Sequence, residues 1–198
     1  MKHVLLFLTM TLMTAAVGAQ QKLIGIGIKA GLSVSMTSLE HGAGPGAGSG
    51  KAGSEAGGTA GIFFQAKLGE KLIFQPELIV AFKGFSEVRD NYTFRNNITY
   101  LELPLQLIYK APSPKAWFLA GGGLAPSMYI GQNILSSGYA DALKKIDIGI
   151  VASAGIGFAA GFNGTLSYTH GLANVSNNHP LYEKIKNRNI GITIGYLF

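Results

Sequence analysis

The last ten residues, NIGITIGYLF, place Ile190, Ile192, Ile194, Tyr196 and Phe198 on one side of an extended chain and Gly191, Thr193 and Gly195 on the other. A period of two is what a strand shows when its faces meet different surroundings. The stretch IGIGIKAGLSVSM (24–36) repeats it without a break, setting Ile24, Ile26, Ile28, Ala30, Leu32, Val34 and Met36 against Gly25, Gly27, Lys29, Gly31, Ser33 and Ser35. Four further segments follow the pattern: TAGIFFQAKLG (59–69), KLIFQPELIVAFKGF (71–85), ITYLELPLQLIYK (98–110) and KIDIGIVASAGIGFAA (145–160). In AWFLAGGGLAPSMYI (116–130) and TLSYTHGLANV (165–175) glycine, proline and histidine blur it, and both are still read as strands. Eight strands are therefore predicted, most of them ten residues or longer. Strands of ordinary globular domains average about five or six residues, whereas a tilted strand crossing a bilayer needs about 9–11.

The connections add independent information. Gly69-Glu70-Lys71, APSPK (111–115) and Gly161-Phe162-Asn163-Gly164 are tight turns, while 37–58, 86–97, 131–144 and 176–188 are long. Short and long links alternate strictly, as in an up-and-down barrel with brief periplasmic turns and longer external loops. The predicted fold is all-β, an eight-stranded antiparallel up-and-down transmembrane β-barrel, and an even strand number puts both ends on the short-turn rim.

A soluble ligand-carrying barrel alternates in the same way with its faces reversed. Its outer face would be dressed with charge, yet the second face here is mostly Gly, Ser, Thr and Ala, which suits a narrow interior. Tyr109 and Trp117 flank the APSPK turn, Phe158 and Phe162 lie near the next, and Tyr196 and Phe198 end the chain on that rim. A ring of aromatics at one height is expected of an interfacial girdle among lipid headgroups. A soluble periplasmic barrel carrying an apolar ligand and a soluble sandwich with core aromatics remain the alternatives.

Lys2 and His3 precede the apolar run VLLFLTMTLM, which ends in the small residues TAAVGAQ. Basic start, short apolar stretch and Val17-Gly18-Ala19 predict a secretory signal peptide at 1–19, with the barrel domain at 20–198. The chain has no cysteine, so no disulfide framework supports it. Its 16 basic residues less Lys2, against 10 acidic ones, leave a formal +5 for the exported chain. That excess is scattered, without the basic stripe that nucleic acid binding requires. Charged residues make up 13% of the chain and the mean hydropathy is +0.28, where a soluble domain carries roughly 25% charge. Lipid against the outer surface accounts for the difference.

Little in the chain points to chemistry. In HGAGPGAGSGKAGSEAGG (41–58), Gly50-Lys51 would need glycine at 45 and a hydroxyl at 52 to form a phosphate-binding loop, and the chain has Pro45 and Ala52. Gly155 to Ala160 imitates a dinucleotide fingerprint but lies within a strand instead of opening a helix. His41, His170 and His179 show no metal-pair spacing. Ser136, Ser137, Asp141 and His179 could meet at the external rim as a nucleophile with its base, but such groups are recognised by geometry alone. No catalytic, metal or cofactor site is assigned, and an enzyme acting at the loop rim is the second functional reading. Lys29, Lys67, Glu77 and Glu102 share the small-residue face of neighbouring strands. Charges in a narrow lumen are costly unless paired, so these four, with Gln65, Gln75 and Gln106, are expected to form a network that plugs the barrel.

The chain also resembles the PorT-like outer-membrane β-barrel proteins of Gram-negative bacteria. The resemblance rests on IGIKAGLSVS, IFQPELIVAFKGF, YLELPLQLIY, WFLAGGGLAPSMYI, YTHGLANVS and the ending GITIGYLF, and covers nearly all of the exported chain. It implies a small eight-stranded barrel in the cell outer membrane, and some relatives assist protein secretion. It also implies that the last strand with its terminal Phe198 is read by the outer-membrane assembly machinery. The expected role is structural or interactive, through external loops that meet a protein partner, in a monomer surrounded by outer-membrane lipid.

Overall fold

A computed structural model of the protein describes residues 23–40, 49–51, 53–89, 92–133, 144–173 and 184–198. The expected signal peptide and the serines and acid at 136, 137 and 141, with His179, lie outside the described residues. Among those described, every regular element is a strand: β1 (Leu23–Glu40), β2 (Ser49–Lys51), β3 (Gly53–Lys67), β4 (Leu72–Arg89), β5 (Tyr92–Glu102), β6 (Leu105–Pro112), β7 (Ala116–Asn133), β8 (Ile146–Phe158), β9 (Phe162–Gly171) and β10 (Lys184–Leu197).

All pairings are antiparallel, and β1 pairs with β10 from Gly27↔Leu197 to Glu40↔Lys184, which closes the sheet. The ten segments make eight staves. β2 continues the stave of β3 against β1, and β5 and β6 lie end to end between β4 and β7. The single strand expected over 98–110 is thus broken at Leu103-Pro104. Proline has no N–H for the ladder, and the backbone there turns to other partners, Glu77 N–H donating to Pro104 O at 2.9 Å and Leu103 N–H to Pro126 O at 2.8 Å.

The long links are shorter than the sequence suggests, because strands continue into them. β1 reaches Glu40 and β3 begins at Gly53, so much of 37–58 is paired strand; β4 and β5 leave only 90–91 between them. Glycine and alanine carry too little side chain to signal a strand face, yet their backbones pair like any other. At the opposite rim the turn after β8 closes through Gly161 N–H to Phe158 O at 3.0 Å, with Gly161 at φ 92. That left-handed conformation suits glycine, and Phe162, Asn163 and Gly164 already belong to β9.

Inside and outside follow the period of two. Ile26, Ile28, Leu32, Val34, Leu78, Phe82, Leu124, Ile148, Leu166, Ile190, Ile192 and Ile194 are exposed on the outer wall, while Ser33, Gln65, Gln75, Glu77, Glu102, Gln106, Asp147, Asn189 and Thr193 are buried. This is a soluble protein turned inside out. Phe63 is among the largest fully buried side chains and lies opposite Gly27. A Cβ at Gly27 would fall against the Phe63 ring and 2.6 Å from the Tyr196 carbonyl oxygen. Gly27→Ala is therefore expected to lose about 1–3 kcal/mol through overpacking, read as a lower denaturant midpoint in detergent; an unchanged midpoint would mean that Phe63 moves freely.

Candidate functional site

The middle of the barrel is closed by hydrogen bonds that all run toward one carboxylate. Glu77, on β4 and facing inward, accepts from Lys29 Nζ at 2.9 Å through Oε2, and from Gln75 Nε2 at 2.6 Å and Gln106 Nε2 at 2.9 Å through Oε1. Gln65 Nε2 donates to Gln75 Oε1 at 2.7 Å, and Ser153 Oγ donates to Gln106 Oε1 at 2.7 Å. The donors come from β1, β3, β4, β6 and β8, so the network ties five segments across the lumen. Glu77 and Lys29 have side chains only 1% and 11% exposed. Three donors, one of them cationic, compensate the desolvation that a buried carboxylate would otherwise suffer.

A second cluster lies on the long-link side of the first. Glu102 pairs with Lys83, and the Lys83 ammonium sits 5.5 Å from the Tyr100 ring centroid. Tyr100 meets Tyr129 edge to face at 6.3 Å. Asn187 Nδ2 donates to Asp147 Oδ2 at 3.2 Å. The expected single network of four charges is therefore two clusters, with Glu102 served by Lys83 and not by Lys29 or Lys67. Lys83 shares the inward phase of Ile73, Gln75, Glu77, Ile79 and Ala81 in the sequence; the register sets Ile79 opposite Glu102 and Lys83 opposite Ile98, so the pair forms because the long lysine side chain reaches along the strand to the carboxylate. Small cavities remain beside the network. One of about 60 Å³ is lined by Lys29, Gln65, Gln106 and Trp117, and one of about 40 Å³ by Lys29, Glu77, Ser153, Thr165 and Thr193.

Lys67 takes no part in this network. It is exposed at the short-turn mouth, because the inward row Phe63, Gln65, Lys67 reaches the end of β3 there. Trp117 also departs from its expected place in the girdle. It lines the lumen, with the Lys110 ammonium 3.8 Å from its ring centroid. The phase of β7 puts its neighbour Phe118 outside, 58% exposed. Tyr109, Phe158 and Phe198 are exposed on the outer wall at this end, with Phe118 and Phe162. Tyr196 packs between Phe162 and Phe198, ring centroids 4.9 and 5.1 Å away. APSPK hides the phase of the strand after it, which is why the sequence points to Trp117 where its neighbour Phe118 faces outward.

A closed all-β wall that is apolar outside, polar and hydrogen-bonded inside, and ringed by aromatics at one end defines a membrane-spanning β-barrel. Residues 18–177 match the family described as "Outer membrane protein beta-barrel domain". The chain belongs to that family and is an outer-membrane protein in contact with membrane lipid; the soluble carrier considered from the sequence is thereby set aside. The crystal structure of Neisserial surface protein A is 12% identical, aligns over 89% of this chain and 99% of that chain, and superposes with a TM-score of 0.55. That of the outer membrane protein OprG from Pseudomonas aeruginosa is 16% identical, aligns over 90% and 98%, and gives a TM-score of 0.57. At these identities the likeness is one of fold. No curated protein matches the chain.

Proposed function

We propose that this barrel is a non-enzymatic structural or interaction protein that works as a monomer through its long connections, with a lumen too filled to pass solutes. The observation that supports this is the disproportion between the two ends of the wall. β1, β4 and β7 each run for 18 residues, where about 9–11 cross a bilayer. The surplus lies on the long-link side, since short turns follow the aromatic ring at once. A plugged stave wall that projects beyond the lipid serves contact better than transport. The narrower reading, an accessory to protein secretion of the PorT-like kind, rests on the sequence resemblance.

Cross-linking in intact cells, followed by purification in detergent, tests the interaction role. The same neighbour should be captured repeatedly and lost when 134–143 and 174–183 are replaced by short turns in a barrel that still migrates as folded. Steady ion conductance through the purified barrel, with no loop-dependent neighbour, would overturn it.

Two further outcomes are expected. Replacing 41–48 by a Gly-Asn turn should change stability by about 1 kcal/mol or less, because loop closure depends weakly on length, and a membrane-impermeant amine label should reach Lys51 from outside intact cells. Labelling only after the periplasm is opened would reverse the topology. Phe198 is 71% exposed on the outer wall at the end of the closing strand, where the assembly machinery would read it. Phe198→Ala should slow insertion in cells while leaving refolding into detergent unchanged; equal slowing in both would make Phe198 a packing residue only.

A further inference from the structure

The short-turn mouth carries a feature that neither the plug nor the loops use. A cleft of about 450 Å³ opens there, lined by Lys67, Glu70, Lys71, Ile73, Lys110, Pro112 and Trp117. Its backbone is fixed by Leu68 N–H to Leu72 O at 2.9 Å and Lys110 N–H to Lys71 O at 2.7 Å, so the three lysines are held on adjoining segments of one rigid hairpin pair. Trp117 holds the Lys110 ammonium over its ring at 3.8 Å.

Three cations and one carboxylate give the cleft a formal charge of +2. None of the four groups is in the lumenal ion pairs Lys29–Glu77 and Lys83–Glu102. Lys67, Lys71 and Lys110 line the same cleft, where like charges repel. Repulsion between cations around a partly desolvated cleft is relieved by an anion that accepts from more than one ammonium. The floor of Ile73, Pro112 and Trp117 is apolar and lowers the local dielectric, which strengthens that attraction.

We propose that this cleft is a binding site for a phosphate group, whose negative charge, about −1.5 to −2 as a monoester and about −1 as the diester of a phospholipid, is opposite in sign to that of the cleft. Lys67, Lys71 and Lys110 donate to the phosphate oxygens, Trp117 positions Lys110, and Glu70 limits the site to one such group. The phosphate belongs either to a phospholipid headgroup at the bilayer surface or to a soluble phosphate compound. The site does not depend on the loop-mediated role, so either reading can fail alone.

Trp117 is the chain's single tryptophan and reports directly on the cleft. The folded barrel in a non-ionic detergent is titrated with inorganic phosphate, against chloride at equal ionic strength. In parallel, it is placed in nanodiscs of phosphatidylcholine with and without phosphatidylglycerol. A saturable change in Trp117 emission with phosphate identifies a soluble ligand; a change confined to phosphatidylglycerol discs identifies a headgroup. In either case Lys67→Gln and Lys71→Gln should each raise the half-saturating concentration about tenfold, as loss of one charge-assisted hydrogen bond requires. Both substitutions are at an exposed rim, and heat-dependent gel migration checks that the variants remain folded. No response to either probe, or the same response in the Lys67→Gln/Lys71→Gln double variant, overturns the site.

Discussion

Glu77→Ala is expected to destabilise the barrel by about 3–5 kcal/mol, because it leaves the Lys29 ammonium buried without its counter-charge. The loss reaches beyond the pair. Gln75 Nε2 and Gln106 Nε2 both donate to Glu77 Oε1, and each would be stranded among buried side chains, beside cavities of about 60 and 40 Å³. Glu77→Gln tests charge against shape: its amide keeps one acceptor oxygen but turns a donor group toward Lys29 Nζ, so most of the loss should persist. Lys29→Met combined with Glu77→Leu should recover much of it, since a buried pair replaced by apolar groups of similar size is often neutral. The measurement is denaturant unfolding in one detergent, with the wild type, Lys29→Met, Glu77→Leu and the double variant forming a double-mutant cycle. Additive losses, with the double variant at the sum of the singles, would mean that Lys29 and Glu77 are each solvated and that the lumen is wetter than the geometry indicates.

How much of this was legible in the chain depends on whether a feature is local. The alternation in IGIGIKAGLSVSM and NIGITIGYLF is local, and β1 and β10 follow it. So is the alternation of short and long links, which leads to the closed, consecutively paired barrel. The inward phase of Lys29, Gln65, Gln75, Glu77, Glu102 and Gln106 was readable for the same reason. Which of them touch was not. Height in a sheared barrel is set by register across the staves, and it is register that gives Glu77 to Lys29 and leaves Lys67 at the mouth, while Lys83 meets Glu102 by reaching along the strand from a level four residues away. Trp117 and Phe118 show the limit most sharply: one residue of uncertainty in strand phase after a proline turn exchanges lumen for lipid. The glycine-rich stretch failed in the opposite direction, because 49–51 and 53–58 pair by backbone alone.

Ile192→Arg is expected to cost about 2–4 kcal/mol, the penalty for an arginine on the lipid face near the bilayer midplane. Ile192 is 64% exposed on the outer wall and lies opposite Leu32 on one side and Leu166 on the other, both exposed as well. Leu32 has Ile26 and Ile28 toward one end of its strand's apolar row and Val34 toward the other, so this level is well inside the band. The adjacent residue separates lipid exposure from general intolerance. Thr193 faces the lumen, 7% exposed, between Gly31 and Thr165, and beside the chamber of about 40 Å³. Thr193→Arg should fail by crowding and be relieved by no change of lipid. Phe158→Arg, on the same outer wall but in the aromatic ring, should cost only about 0–1 kcal/mol, because the arginine reaches the headgroups. Folding into vesicles of increasing hydrocarbon thickness should widen the gap between Ile192→Arg and Phe158→Arg while leaving Thr193→Arg unaffected. Equal insertion of Ile192→Arg and the wild type, or a penalty at Phe158 as large as that at Ile192, would show that the outer wall does not meet lipid at the level assigned to it.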